Sequence, residues 1–139
     1  MIDKLREIHR EHRITNGNVS AYTRSAITIT KEWQDAVCNK TIRSEVKVSP
    51  SNNEKIDIVD RTNRTAYELK VSGKNAHHEF FKDLVKALTY NINHEENQLQ
   101  KLVFISEDGG IESLKKRIDP KFLEMIEKSH KLSVELISI

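Results

Sequence analysis

Residues 55–72 read KIDIVDRTNRTAYELKVS. Two runs rich in β-branched and apolar residues, 55–61 and 65–72, flank the short polar segment Thr62-Asn63-Arg64, which predicts a β-hairpin. Yet Asp57, Glu68 and Lys70 fall inside the runs rather than in the turn. Side chains alternate across a strand, so each run divides into two faces. In the first run Ile56 and Ile58 oppose Lys55, Asp57 and Val59. In the second, Tyr67, Leu69 and Val71 oppose Ala66, Glu68, Lys70 and Ser72. Residues 42–49 (IRSEVKVS) alternate in the same way, with Val46 and Val48 against Glu45, Lys47 and Ser49, and Pro50-Ser51-Asn52-Asn53 joins them to the hairpin.

The expected unit is therefore an antiparallel meander of three strands. One face is apolar and packs on helices. The other gathers Glu45, Asp57 and Glu68 with Lys47, Lys55 and Lys70. Asp60 falls on the opposite face from Asp57 and sits beside the turn, so it is expected to serve as a turn or cap residue. An ordinary meander with cross-strand ion pairs on a wet face would show the same alternation.

Working outward, residues 2–13 predict a helix, with Ile2, Leu5 and Ile8 at helical spacing and Arg6, Arg10 and Arg13 on another stripe. Thr15-Asn16-Gly17-Asn18 breaks that pattern. Residues 25–38 are ambiguous: the early β-branched residues favour a strand, whereas Ile29, Trp33, Ala36 and Val37 favour a helix, the reading adopted. Residues 76–94 predict a helix with Phe80, Phe81, Leu84, Val85, Leu88 and Ile92 on one face. Leu102–Ile105 is continuously apolar, as suits a central strand covered on both sides. Gly109-Gly110 turns into a helix from 111 to 117, and Asp119-Pro120 opens another over 120–129, with Asp119 as N-cap. SVELISI forms the last strand. Helices alternating with strands in this order predict an α/β fold with a mixed sheet.

The chain has 139 residues, which predicts one domain spanning 1–139. Within it, 1–24 supplies a helix and loop, 25–106 the core and 107–139 the closing helices and strand. A single cysteine, Cys38, excludes an internal disulfide and a four-cysteine zinc site. The net charge of +2 is too mild to announce nucleic-acid binding by itself. The N-terminus is charged from its third residue and lacks an apolar signal region. No apolar run approaches membrane-spanning length, so a cytoplasmic protein without a membrane partner is expected.

Ile56-Asp57-Ile58-Val59 and Tyr67-Glu68-Leu69-Lys70, with the two acids eleven positions apart, resemble the PD-(D/E)XK nuclease superfamily. That superfamily includes restriction endonucleases and Holliday-junction resolvases. Its αβββαβ core matches the expected element order over 25–106, so the resemblance implies a restriction-endonuclease-like core, a mixed sheet flanked by helices. The proline of the family name is absent; Ile56 stands before Asp57.

What the resemblance implies is a Mg²⁺-dependent DNA endonuclease, with Mn²⁺ as substitute ion. Asp57, Glu68 and the Leu69 carbonyl would hold the ion, since a hard divalent cation takes oxygen ligands. Lys70, two residues from Glu68, would orient the attacking water and stabilise developing negative charge. A further acid is common in the family, and two residues compete for that place. Glu32 qualifies if 25–38 is helical, and Glu45 shares the strand face.

Lys74, Asn75, Lys82, Lys86, Arg6, Arg10 and Arg13 are candidate DNA contacts; each basic stripe also reads as a solvated face. A homodimer or a partner subunit is expected, because one site cuts one strand. A non-catalytic binding module that retains the fold is the alternative. His77-His78-Glu79 lacks partner ligands and reads as surface or capping residues. Ser72-Gly73-Lys74 fails as a phosphate loop, because Glu68 stands where the first glycine is needed.

Overall fold

The computed structural model describes the backbone of residues 1–15 and 19–139, and side chains over 1–13 and 26–139. The expected break at Thr15-Asn16-Gly17-Asn18 therefore lies, at 16–18, outside the described residues. The elements are α1 (Ile2–Thr15), α2 (Val19–Val37), β1 (Ile42–Lys47), β2 (Lys55–Asp60) and β3 (Thr65–Lys70). They continue with α3 (Ala76–Asn93), β4 (Lys101–Ser106), α4 (Asp108–Arg117), α5 (Pro120–His130) and β5 (Ser133–Ser138). The five strands form one mixed open sheet in the order β1-β2-β3-β4-β5. The first three are antiparallel, as their short polar turns require; β3, β4 and β5 are parallel, joined by helical crossovers.

The class is α/β with flanking helices. The helix assigned to 25–38 is present and begins at Val19, six residues earlier than the pattern suggested. Its β-branched residues are accommodated because Ile29 and Trp33, one turn apart, are both fully buried. Packing of a helix face outweighs intrinsic propensities of a few tenths of a kcal/mol per residue. Asp119 caps α5 as expected, accepting the Lys121 N–H at 2.9 Å, with Pro120 at the first helical position. Among the described residues no helix is long and apolar enough to cross a membrane.

Helices cover both faces of the sheet, so the face opposite the one expected to be apolar is not the wet face of an ordinary ion-paired meander. On one side Leu5 and Ile8 of α1 and Ile29 and Trp33 of α2 pack on Ile58, Val71, Val103 and Ile105. On the other, Phe80, Leu84, Ala87 and Tyr90 of α3 pack with Val59, Ala66, Leu102 and Phe104, joined by Leu114 of α4 and Ile126 of α5. Each such buried aliphatic or aromatic side chain contributes roughly 1.5–3 kcal/mol. The face carrying Asp57, Glu68 and Lys70 therefore lies against α3.

The β3–α3 loop is pinned to the start of α4 by two glycines. A methyl group added at Gly110 would sit 2.7 Å from the Gly73 Cα and 2.8 Å from the Ser106 Oγ, whereas one at Gly109 would meet nothing within 4 Å. Gly110→Ala should therefore destabilise by about 1–3 kcal/mol, because backbone rather than a flexible side chain blocks the space. Gly109→Ala should be neutral or stabilise by up to about 1 kcal/mol. Urea unfolding of the two variants checks the contrast.

Candidate functional site: a buried acid cluster at a break in the sheet

The β1–β2 register runs Ile42↔Asp60, Arg43↔Val59 and Ser44↔Ile58, then resumes at Val46↔Ile56, skipping Glu45 and Asp57. The β2–β3 register runs from Asp60↔Thr65 to Ile58↔Tyr67 and stops there, one step before Asp57 would face Glu68. At Asp57 the strand thus skips one pair with β1 and leaves the β3 ladder altogether. Substitute partners take over the freed backbone groups, as buried polar groups require. The Asp57 carboxylate accepts the Leu69 N–H at 2.8 Å, and the Asp57 carbonyl accepts from the Gln34 Nε2 at 3.0 Å. Gln34 also donates to Glu45 at 2.9 Å. Glu45 has φ 51°. A left-handed non-glycine residue within a strand costs roughly 1–2 kcal/mol, and such strain concentrates at functional sites.

The break also separates side chains that strict alternation would keep together. Ile56 belongs to the core under α3, and Ile58 to the core under α1 and α2.

The Asp57 and Glu68 carboxyls lie close enough for each to shift the other's ionisation. Glu68 is only 3% exposed. Lys86 reaches down from α3 into this space, its Nζ lying 2.6 Å from Glu68 Oε1, 3.1 Å from Asp83 Oδ1 and 2.6 Å from the Lys55 carbonyl. The Lys86 ammonium is therefore the immediate counter-ion of the buried Glu68 carboxyl. Three carboxyls and one ammonium therefore share a water-poor volume.

The electrostatics follow from that count. Burial raises the Asp57 pKa, against the Leu69 N–H and Lys86, which lower it. Burial and then the charges of Asp57 and Asp83 push Glu68 well above the usual carboxylate range. Burial lifts Asp83 to about 6 despite its contact with Lys86. For Lys86 burial works downward, but the charges of Glu68 and Asp83 outweigh it and its pKa is raised.

The structure brings together Asp57, Glu68 and Glu45, whose charge reaches Asp57. Lys70 is half-buried on β3, which stays paired with β4 through Lys70↔Ser106, so regular alternation keeps it on the Glu68 side. Leu69 is held through its N–H by Asp57. Asp60 behaves as expected, accepting the backbone and side-chain N–H groups of Asn63 at 3.1 and 2.8 Å.

Other residues are placed differently. Glu32 lies 3.2 Å from the His12 Nε2 and clips α2 to α1; Gln34, more than half a turn around α2, is the residue that reaches the site. Lys86 does not share an exposed stripe with Lys82 but is buried among the acids. Arg13 pairs with Glu107 at 2.7 Å, and Arg6 donates to the Ser138 carbonyl at 3.3 Å, so both bind α1 to the rest of the protein. Arg10, Lys74, Asn75 and Lys82 are exposed.

Gln34, Asp83 and the true role of Lys86 escaped the sequence reading. The available signal was on α3. Asp83 and Lys86 follow Phe80 at intervals of three, on the helix face that is otherwise apolar, where charged side chains need a reason.

Among the described residues no group of three or more His, Cys, Asp or Glu side chains is placed to hold a metal ion. Comparison with protein families, curated proteins and solved structures returns no match for the chain.

A carboxyl whose native pKa exceeds its unfolded value contributes stability that is fully present below the unfolded value and lost as pH rises through the native one. For Asp83 that window runs from 3.8 to about 6. Asp83→Asn should flatten the fall in stability across this window, as read by urea unfolding at several pH values. Lys86→Met should destabilise by about 3 kcal/mol at pH 8, because it strands the acids without a cation. At pH 5 the loss should be smaller, since the carboxyls then hold their protons.

Proposed function

We propose that the chain is a divalent-metal-dependent DNA endonuclease and that the run from α2 to β4 is a nuclease core of the PD-(D/E)XK type. The observation that carries this reading is the buried electrostatic pairing of the Asp57 and Glu68 carboxyls, on the Lys70 side of the sheet, at the point where β2 leaves the β3 ladder. The order α2-β1-β2-β3-α3-β4 agrees with the αβββαβ core.

The residues present fit a Mg²⁺ ion. One or two carboxylates suffice for Mg²⁺, which keeps several waters and takes its remaining oxygens from phosphate. The buried Glu68 Oε1 is a hard oxygen that would exchange its present counter-ion, the Lys86 ammonium 2.6 Å away, for the metal. Asp57, Glu68 and the Leu69 carbonyl would hold the ion, and Glu45 is the acid placed to assist. When bound, the ion supplies counter-charge to the phosphate and acidifies a water. Lys70 would orient the attacking water and donate to developing negative charge. Asp57 anchors the strand carrying both Glu68 and Lys70 through the Leu69 N–H. Exposed Lys74 and Asn75, in the loop after β3, supply phosphate contacts that set position rather than sequence preference.

A second reading is favoured by Lys86, whose ammonium already serves as the counter-ion of Glu68 and Asp83. Under it the chain is a nucleic-acid- or protein-binding module that keeps the fold without cutting.

Plasmid and branched DNA incubated with Mg²⁺, Mn²⁺ or EDTA separates the two. Cutting that needs the metal, and that falls at least about a hundredfold in Lys70→Ala and Asp57→Asn, supports the nuclease. Binding without cutting supports the module.

Metal binding must also ionise carboxyls whose pKa values are raised, so it should release protons. Calorimetric Mg²⁺ titration in buffers of different ionisation enthalpy should show that release, with affinity climbing as pH rises, because the Asp57 and Glu68 carboxyls are both raised above their usual values. Absence of both effects would sink the metal site independently of any DNA substrate.

A further inference from the structure

The apolar face expected on α3 is in fact two faces. Phe80, Leu84 and Ala87 are buried, whereas Phe81 is 41%, Val85 61% and Ile92 73% exposed, with Leu88 half-buried between them. Scattered exposed apolar residues are ordinary, but a contiguous stripe is not. Phe81, Val85, Leu88 and Ile92 follow at intervals of four, three and four, the spacing with which one helix packs along another. Phe81 meets Phe122 of α5 edge-on, ring centres 6.4 Å apart, and Met125, 45% exposed, follows Phe122 at an interval of three on α5.

We propose that this stripe is the contact between two copies of the chain, with α3 antiparallel to its partner's α3 about a two-fold axis between Val85 and Leu88. Two observations select a second copy. The first is charge. Exposed His78 and Lys82 stand at the N-terminal end of the stripe, and exposed Glu95 and Glu96 stand just beyond its C-terminal end. Antiparallel pairing about that axis sets Glu95 of one copy against His78 of the other, with Lys82 one helical turn further in, while parallel pairing would set like against like. The second is shape. A hollow of about 440 Å³ lies beside Ile92, bounded by Leu88, Ser129 and His130. The antiparallel register carries the other copy's Phe81 to Ile92, at the mouth of this hollow. Ring and hollow thus occur on one surface, as an isologous interface requires. Lys86 and Asp83 face away from the stripe into the acid cluster, so the pairing does not depend on the nuclease reading.

Sedimentation equilibrium of the full chain from micromolar to submillimolar concentration tests this. The wild-type chain should dimerise. Val85→Glu and Ile92→Glu should each weaken association at least about a hundredfold with unchanged far-UV circular dichroism. Lys82→Glu should weaken it about tenfold, and Lys82→Glu combined with Glu95→Lys should restore it. A wild-type chain that stays monomeric throughout would overturn the proposal. So would a dimer indifferent to both glutamate substitutions, or a charge reversal that is not rescued.

Discussion

Lys86 is the cation around which the α3 side of the protein is organised. Asp57, Glu68 and Asp83 bring three carboxyls into a space from which most water is excluded, and the ammonium touches two of them and a backbone carbonyl of β2. Uncompensated charge in such surroundings costs several kcal/mol per ion, so α3 must be seated for the acids to be tolerated. Docking of α3 is therefore electrostatic as well as hydrophobic: Phe80 and Leu84 bury apolar surface, and Lys86 settles the charge between them and the strands. Apolar residues of equal volume would fill the space at least as well, which makes the acids hard to explain by stability alone.

The same demand shapes the backbone. A carboxylate that accepts a main-chain N–H from the next strand occupies the place of a carbonyl, so β2 and β3 part at Asp57. On its other side Glu45 adopts a left-handed conformation, and Gln34 repairs the exposed carbonyl from α2. The sheet keeps its hydrogen bonds satisfied with side chains where backbone pairing has been given up. Pairing of β2 with β1 resumes at Val46↔Ile56 and β3 stays paired with β4 throughout, so the site rests on strands held on their outer sides while β2 and β3 remain apart beyond Asp57.

α3 shows why the site was only partly legible from residue order. Its periodicity established a helix, and Phe80 and Leu84 were assigned correctly to the core. A single-sequence pattern cannot say which part of a wide apolar arc meets the sheet. Rotation by one position separates buried Leu84 from exposed Val85, and the same rotation carries Lys86 inward and leaves Lys82 outside. Glu32 and Gln34 illustrate the same problem on α2, where two residues along the chain mean more than half a turn around the axis. The arginines of α1 look alike in sequence, yet Glu107 and the end of β5 engage Arg13 and Arg6.

Local order along the chain determined the element order, the antiparallel meander, the capping roles of Asp60 and Asp119, and the placing of Asp57, Glu68 and Lys70 on one side of neighbouring strands. Those features depend on short-range rules: alternation in strands, helical periodicity and turn chemistry. Only the tertiary structure decided that this side would be buried, that Lys86 would serve the acids, and that Gln34 rather than Glu32 would reach them. The physical reason is that burial and pairing depend on how helices rotate and seat against the sheet. That seating is settled by the whole core at once, not by any stretch of residues within it.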